Sequence, residues 1–248
     1  MNVLLIAGAA AAAQPAVDAL RRAGGVGEVE LLVVPDPAGR AELDPALDRL
    51  AGRRLVVAGS PATLGDVLTR LLRRDELSTT PVGVIDPAGP ANSPWSRGAP
   101  GGGTADGPDG RLVERARIAV VGVPVPVDLV RDDHGGVLVD RAELVPWQGR
   151  RLGARAYVDG TPIADGEVTA LTVMPAGGGR LSGRAGPPRR WRSTSERAAE
   201  GRAVQISCAE ARLTVDGRAH PRPVTRRNWW VEPGRWLVLR DGWAARIT

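Results

Sequence analysis

Residues 55–72, LVVAGSPATLGDVLTRLL, pass from an apolar strand through a single glycine into a helix. Leu55, Val56, Val57 and Ala58 form the short continuous apolar run of a strand buried on both faces of a parallel sheet. Gly59 supplies the tight turn, and Leu64, Val67, Leu68, Leu71 and Leu72 then recur at the spacing of one helical face. Arg70, Arg73 and Arg74 fall on the opposite side or in the last turn, where cations favour the helix dipole. A strand–glycine–helix corner of this kind presents unpaired amides to anionic ligands.

Working outward, residues 3–7 read as a first buried strand and residues 9–23 as an alanine-rich helix. Residues 28–34 read as a second strand and 42–50 as a second helix, so the first ~60 residues spell β-α-β-α-β, the order of a parallel sheet with right-handed crossovers. Residues 81–85 add another buried strand. Residues 96–110 are too rich in Gly and Pro for regular structure and read as a flexible loop. They resemble no phosphate loop, because no strand leads into the glycines and no Gly-Lys-Ser/Thr follows. From Arg117 onward the chain turns to strands: 118–129 reads as an extended edge segment, since its prolines cannot donate to a ladder. Residues 137–139, 155–158, 167–174, 203–208, 212–215 and 235–239 are further short strands at the spacing of a β-sandwich. Residues 187–200 read as a polar connection.

Gly59-Ser60-Pro61-Ala62-Thr63-Leu64-Gly65-Asp66-Val67 resembles the Gly-Gly-Asp-Gly-Thr-hydrophobic-Asn-Glu-Val signature of the diacylglycerol kinase and sphingosine kinase catalytic-domain family. Gly59, Thr63 and Val67 match, and Asp66 keeps a carboxylate where the family has Glu. Pro61 stands where the family carries its nucleotide- and magnesium-associated Asp, and alanines after Gly8 replace the family's Asn-Pro-x-Ser-Gly turn. Gly89 and Asn92 fall on the Gly and Asn of the family's Pro-Leu-Gly-Thr-Gly-Asn-Asp. The Val-Asp128-Leu step resembles its entry into a second domain. Towards the end, Asp216-Gly217-Arg218 resembles the strand-ending Asp-Gly-Glu whose Asp is the family's proposed general base, and Pro233-Gly234 resembles the turn into its last strand. The family's Asp-Gly-x-Leu-Asp stretch is absent.

This resemblance implies an α/β fold in two domains: a three-layer α/β/α nucleotide-binding domain over residues 1–115 and a C-terminal β-sandwich over 116–248. Gly59, Thr63 and Asn92 are the implied nucleotide-binding residues and Asp216 the implied catalytic base, facing the Gly59 corner across one crevice. ATP and Mg2+ are the implied cofactors, a lipid hydroxyl at the membrane surface is the implied acceptor, and homodimer formation is compatible with it. No residue set reads as a metal site. A pseudokinase that binds lipid, nucleotide or protein without turnover is the alternative, favoured by Pro61 and Arg218. An unrelated nucleotide-binding α/β protein is the third reading, and it gives no reason for the strand-rich second half.

The residues also carry plainer readings. Ser60 with Pro61 is a good helix start on its own account. Asp216-Gly217 and Asp159-Gly160 are strong hairpin-turn signals, so Asp216 reads either as a turn residue alone or as a turn residue that also does chemistry. Arg218, two residues on, is expected to lower the basicity of Asp216. Trp229 and Trp230 in a strand send one indole inward and one outward, the outer one suited to a membrane interface. His134 and His220 lack neighbours at ligand spacing and read as surface residues.

Composition limits the field further. All 33 basic residues are arginine, against 28 acidic residues, a net charge of +5 spread along the chain. A nucleic-acid binder concentrates its charge on one element among aromatics, which this sequence does not do. The single Cys208 excludes an internal disulfide and fits a reducing compartment. No apolar run reaches the ~20 residues of a membrane span, and residues 1–13 lack the basic start of a signal peptide. A cytoplasmic protein, peripheral to the membrane if it meets lipid, is the expectation.

Overall fold

The computed structural model describes residues 1–86, 107–187 and 197–241. The first half runs β1 (Val3–Ala7), α1 (Ala10–Ala23), β2 (Val29–Val33), α2 (Arg40–Leu47), β3 (Arg54–Ala58), α3 (Pro61–Arg73), β4 (Val82–Ile85) and α4 (Gly107–Val121). Strands follow: β5 (Val123–Asp132), β6 (Val137–Leu138), β7 (Ala142–Pro146), β8 (Leu152–Val158), β9 (Thr161–Val168) and β10 (Leu171–Gly177). The last are β11 (Arg180–Ala185), β12 (Arg197–Gly201), β13 (Ala203–Val215), β14 (Arg218–Ala219) and β15 (Val224–Arg240). Asn92 lies outside the described residues, as does most of the 96–110 stretch. Contacts divide the chain into one unit of Met1–Val127 with Gly234–Thr248 and a second of Asp128–Pro233.

In the first unit β2, β1, β3 and β4 pair in parallel in that order, and Val238 of β15 lies parallel beside Val82 of β4. β1 is buried from end to end, as a strand covered on both faces must be. Val3, Leu5 and Ala7 share one core with Val56 and Ala58 of β3, Ala16 and Leu20 of α1, and Ala116, Ala119 and Val120 of α4. Alternation turns Leu4 and Ile6 to the other face. There α3 packs on β3 with α2 beside it. Asp44 of α2 accepts hydrogen bonds from Arg70 of α3 and from Arg74 just after it, and so ties the two helices.

α4 corrects the expected loop and edge strand. Residues 107–110 begin a helix, and Ile118–Val121 end it rather than starting an extended segment. Its docking is set by Gly83 in β4, where a Cβ would stand 2.7 Å from that of Ala119. Two small residues let helix and sheet approach.

The second unit is built of antiparallel strands. β13 pairs with β15 along one edge; along the other its first half pairs with β8 and its second half with β7, with an irregular register between Ser207 and Ala211. From there β8 leads to β9, and β7 leads through β10 and β11 to β12. β11 packs over β8, β9 and β13: a Cβ on Gly183 would meet Val158, Ile163 and Val204. The expected 167–174 strand is two strands, β9 and β10, and the expected 203–208 and 212–215 are one, β13. β7, β11 and β12 were not expected, and β12 takes up residues 197–200 of the supposed polar connection. Among the described residues no helix is long and apolar enough to cross a membrane.

Candidate active site

Gly59 and Thr63 meet at the C-terminal ends of β1 and β3. Gly59 adopts φ 145°, a conformation side chains resist, and its N–H donates to Ile85 O at 3.1 Å. Gly8, at the end of β1, donates to Ala58 O at 3.1 Å. Thr63, only 5% exposed, packs against both glycines: a Cβ on Gly8 would lie 2.0 Å from the Thr63 Oγ1 and one on Gly59 3.1 Å from it. Gly8 is thus a third member of the corner that motif comparison did not single out. The available signal was its place at the end of a buried strand, matching that of Gly59.

α3 begins there, and its start is a capped one. The Ser60 hydroxyl accepts the Thr63 N–H at 3.3 Å, and Pro61 has no N–H to give. Two of the four amides that a helix start leaves open are therefore withdrawn. Among the described residues, those of Ser60 and Ala62 carry no protein hydrogen bond. Asp66 turns away to accept the Ala38 N–H at 2.9 Å, holding the chain before α2.

Asp216 belongs to the second unit, at the tip of the β13–β14 hairpin. Asp216 and Gly217 have φ 53° and 87°, the two positive values of a type I′ turn, with Val215 opposite Arg218. The carboxylate is 8% exposed and accepts three backbone N–H groups, from Val139 at 2.9 Å and from Asp140 and Arg141 at 2.7 and 3.0 Å. Burial raises its pKa to about 6; the three N–H donors pull the other way without cancelling that rise. The net shift is upward, against the lowering expected beside Arg218, because desolvation of the buried carboxylate outweighs the hydrogen bonds that oppose it. Asp159 uses the same device at its own turn, accepting Arg202 N–H at 2.7 Å and Ala203 N–H at 2.9 Å.

The remaining sequence candidates have local roles. Trp229 is buried, and Trp230 is half-buried beneath the Arg131 guanidinium, 5.3 Å from its ring centre, so neither indole is the exposed one expected of a membrane contact. Asp128 accepts the Gly179 N–H at 2.6 Å. His134 sits in the turn between β5 and β6, and the His220 ring contacts Arg222 O at 2.8 Å. Burial pushes the Cys208 thiol up to about 11, which suits a packing residue and not a nucleophile.

Solved structures share this fold over nearly the whole chain. A diacylglycerol kinase from Bacillus anthracis str. Sterne superposes with a TM-score of 0.66 at 12% identity, covering 97% of each chain. An NAD kinase from Archaeoglobus fulgidus, solved in complex with ATP, gives 0.59 at 12% identity over 99% of this chain and 96% of its own. The chain has the diacylglycerol kinase/NAD kinase-like fold. A yeast NADH kinase complexed with NADH gives 0.54 at 12% identity, covering 96% of this chain and 82% of that one. No protein-family model and no curated protein matches the sequence. In this kinase-like fold the corner of Gly8, Gly59 and Thr63 lies where a doubly wound sheet binds its ligands, outside the carboxyl ends of the strands.

Proposed function

We propose that the chain is a diacylglycerol kinase-like phosphotransferase, with an α/β/α nucleotide-binding domain and a β-sandwich domain, acting on a lipid hydroxyl at the membrane surface. ATP would be held at the β3–α3 corner by Gly59, Thr63 and Asn92. The lipid oxygen attacks the γ-phosphorus, the bond from that phosphorus to the β–γ bridging oxygen breaks to release ADP, and Asp216 takes the hydroxyl proton. The observation that carries this reading is the near-full-length likeness to a diacylglycerol kinase and an ATP-bound NAD kinase. Asp216 supports it, since a carboxyl with a pKa of about 6 is ionised at neutral pH yet basic enough to accept a proton.

Magnesium fits less well. Among the described residues no three His, Cys, Asp or Glu side chains are placed to hold a metal ion, and Pro61 replaces the family's magnesium-associated Asp. The reading therefore gives the described residues no metal-holding role. The capped start of α3 favours a second reading, a pseudokinase that binds lipid, nucleotide or a protein partner without turnover.

Purified protein incubated with labelled ATP and diacylglycerol separates the two. The kinase reading expects phosphate transfer that Asp216→Asn abolishes while ATP still raises the melting temperature. Transfer undiminished in that variant removes the base assignment, and stabilisation by ATP with no transfer in the unmodified chain establishes the pseudokinase.

A further inference from the structure

A cavity of about 890 Å³ opens in the second unit between the end of β7, the 147–151 turn, Thr169 after β9, and β13. Its charged lining is three arginines: Arg150 and Arg151 from the turn and Arg212 from β13. Strand register sets Arg212 beside Trp147. Arg212 lies opposite Val145, which puts Trp147, two residues on, on the same face. The Trp147 N–H donates to Glu210 O at 3.0 Å, which fixes the backbone under the indole. The Arg212 guanidinium then rests 5.7 Å from the centre of that ring. A cation–π contact of this kind orients the guanidinium plane while leaving its N–H donors unused.

Charge in the cavity is not balanced. Glu167 pairs with Arg151, but among the described residues neither Arg150 nor Arg212 has a carboxylate partner. Guanidiniums that line one cavity match the tetrahedral oxygens of a phosphate, which can accept two parallel N–H bonds from a guanidinium fork.

We infer that this cavity is an anion site that takes a phosphate group, carried by a phosphorylated small molecule or by a phospholipid headgroup. The inference is independent of the kinase reading, and its test uses no nucleotide.

The full chain is titrated calorimetrically with inorganic phosphate and glycerol 3-phosphate, with acetate at equal ionic strength as the control. In parallel it is floated with phosphatidylcholine vesicles with and without phosphatidic acid. The expected result is binding in at least one arm that acetate does not reproduce. Arg212→Gln or Arg150→Gln should weaken it about tenfold or more, the loss of one charged hydrogen-bonding group. Arg21→Gln, an exposed arginine on α1, should leave it unchanged. Soluble phosphate binding alone identifies a free phosphorylated ligand, and binding to phosphatidic acid vesicles alone identifies a headgroup. No binding in either arm, or binding equal in the cavity variants and Arg21→Gln, overturns the site. Arg150 lies in an exposed turn, so Arg150→Gln carries the test if Arg212→Gln fails to fold.

Discussion

At the scale of single residues, Asp216 holds the turn after β6 to the tip of its own hairpin through three N–H bonds. Asn in its place presents one acceptor oxygen and turns an N–H2 toward donors, so Asp216→Asn should cost about 1–3 kcal/mol in urea denaturation. The raised pKa adds a pH signature. Between the ordinary value of 3.8 and about 6 the folded state binds a proton that the unfolded chain has released. Stability contributed by this group is therefore full below about pH 4 and falls as pH rises through 6, by up to ~3 kcal/mol. Asp216→Asn should remove that fall; an unchanged pH profile would show that the buried carboxyl does not titrate this way. Gly8 offers a second test. Gly8→Ala drives a methyl into Thr63 and should destabilise by about 1–3 kcal/mol, with most of the loss recovered in the Gly8→Ala/Thr63→Ala double variant.

At the scale of elements, α2 and α3 are joined by Asp44, whose pKa the Arg70 hydrogen bond lowers against the opposing effect of burial. A lowered carboxyl contributes stability above its unfolded value and loses it as pH falls through the folded one. Asp44→Asn should therefore destabilise at neutral pH and converge with the unmodified chain in acid, as denaturation midpoints at the two pH values would report. The start of α3 was legible without coordinates: Ser60 and Pro61 spell a cap, and the hydroxyl makes it. α4 was missed: Leu112, Val113, Ala116, Ala119 and Val120 keep helical spacing, but the adjoining Gly/Pro run and the prolines of β5 masked it. Strands β7, β11 and β12 were not legible, because short runs such as RLSGRA bury small residues without a strong alternation.

At the scale of the whole molecule, β15 carries an anchor for each unit: Trp229 in the second and Trp236 in the first, both 1% exposed. Replacing either by Ala should cost about 3–5 kcal/mol. Hydrogen exchange should then rise first in β8 and β13 for Trp229→Ala, and in β3 and β4 for Trp236→Ala. A uniform rise in both variants would show a single cooperative unit. Local spacing by itself determined the parallel sheet of the first half, the capped α3 and the two Asp-Gly turns, because apolar period, caps and turn residues act over a few positions. Only the tertiary structure decided that Thr63 fills the space left by Gly8, that Asp216 is buried deeply enough to hold its proton to about pH 6, and that three arginines share a cavity with Trp147. Each depends on residues far apart in the chain, where register and burial set the dielectric and the neighbours that no local pattern encodes.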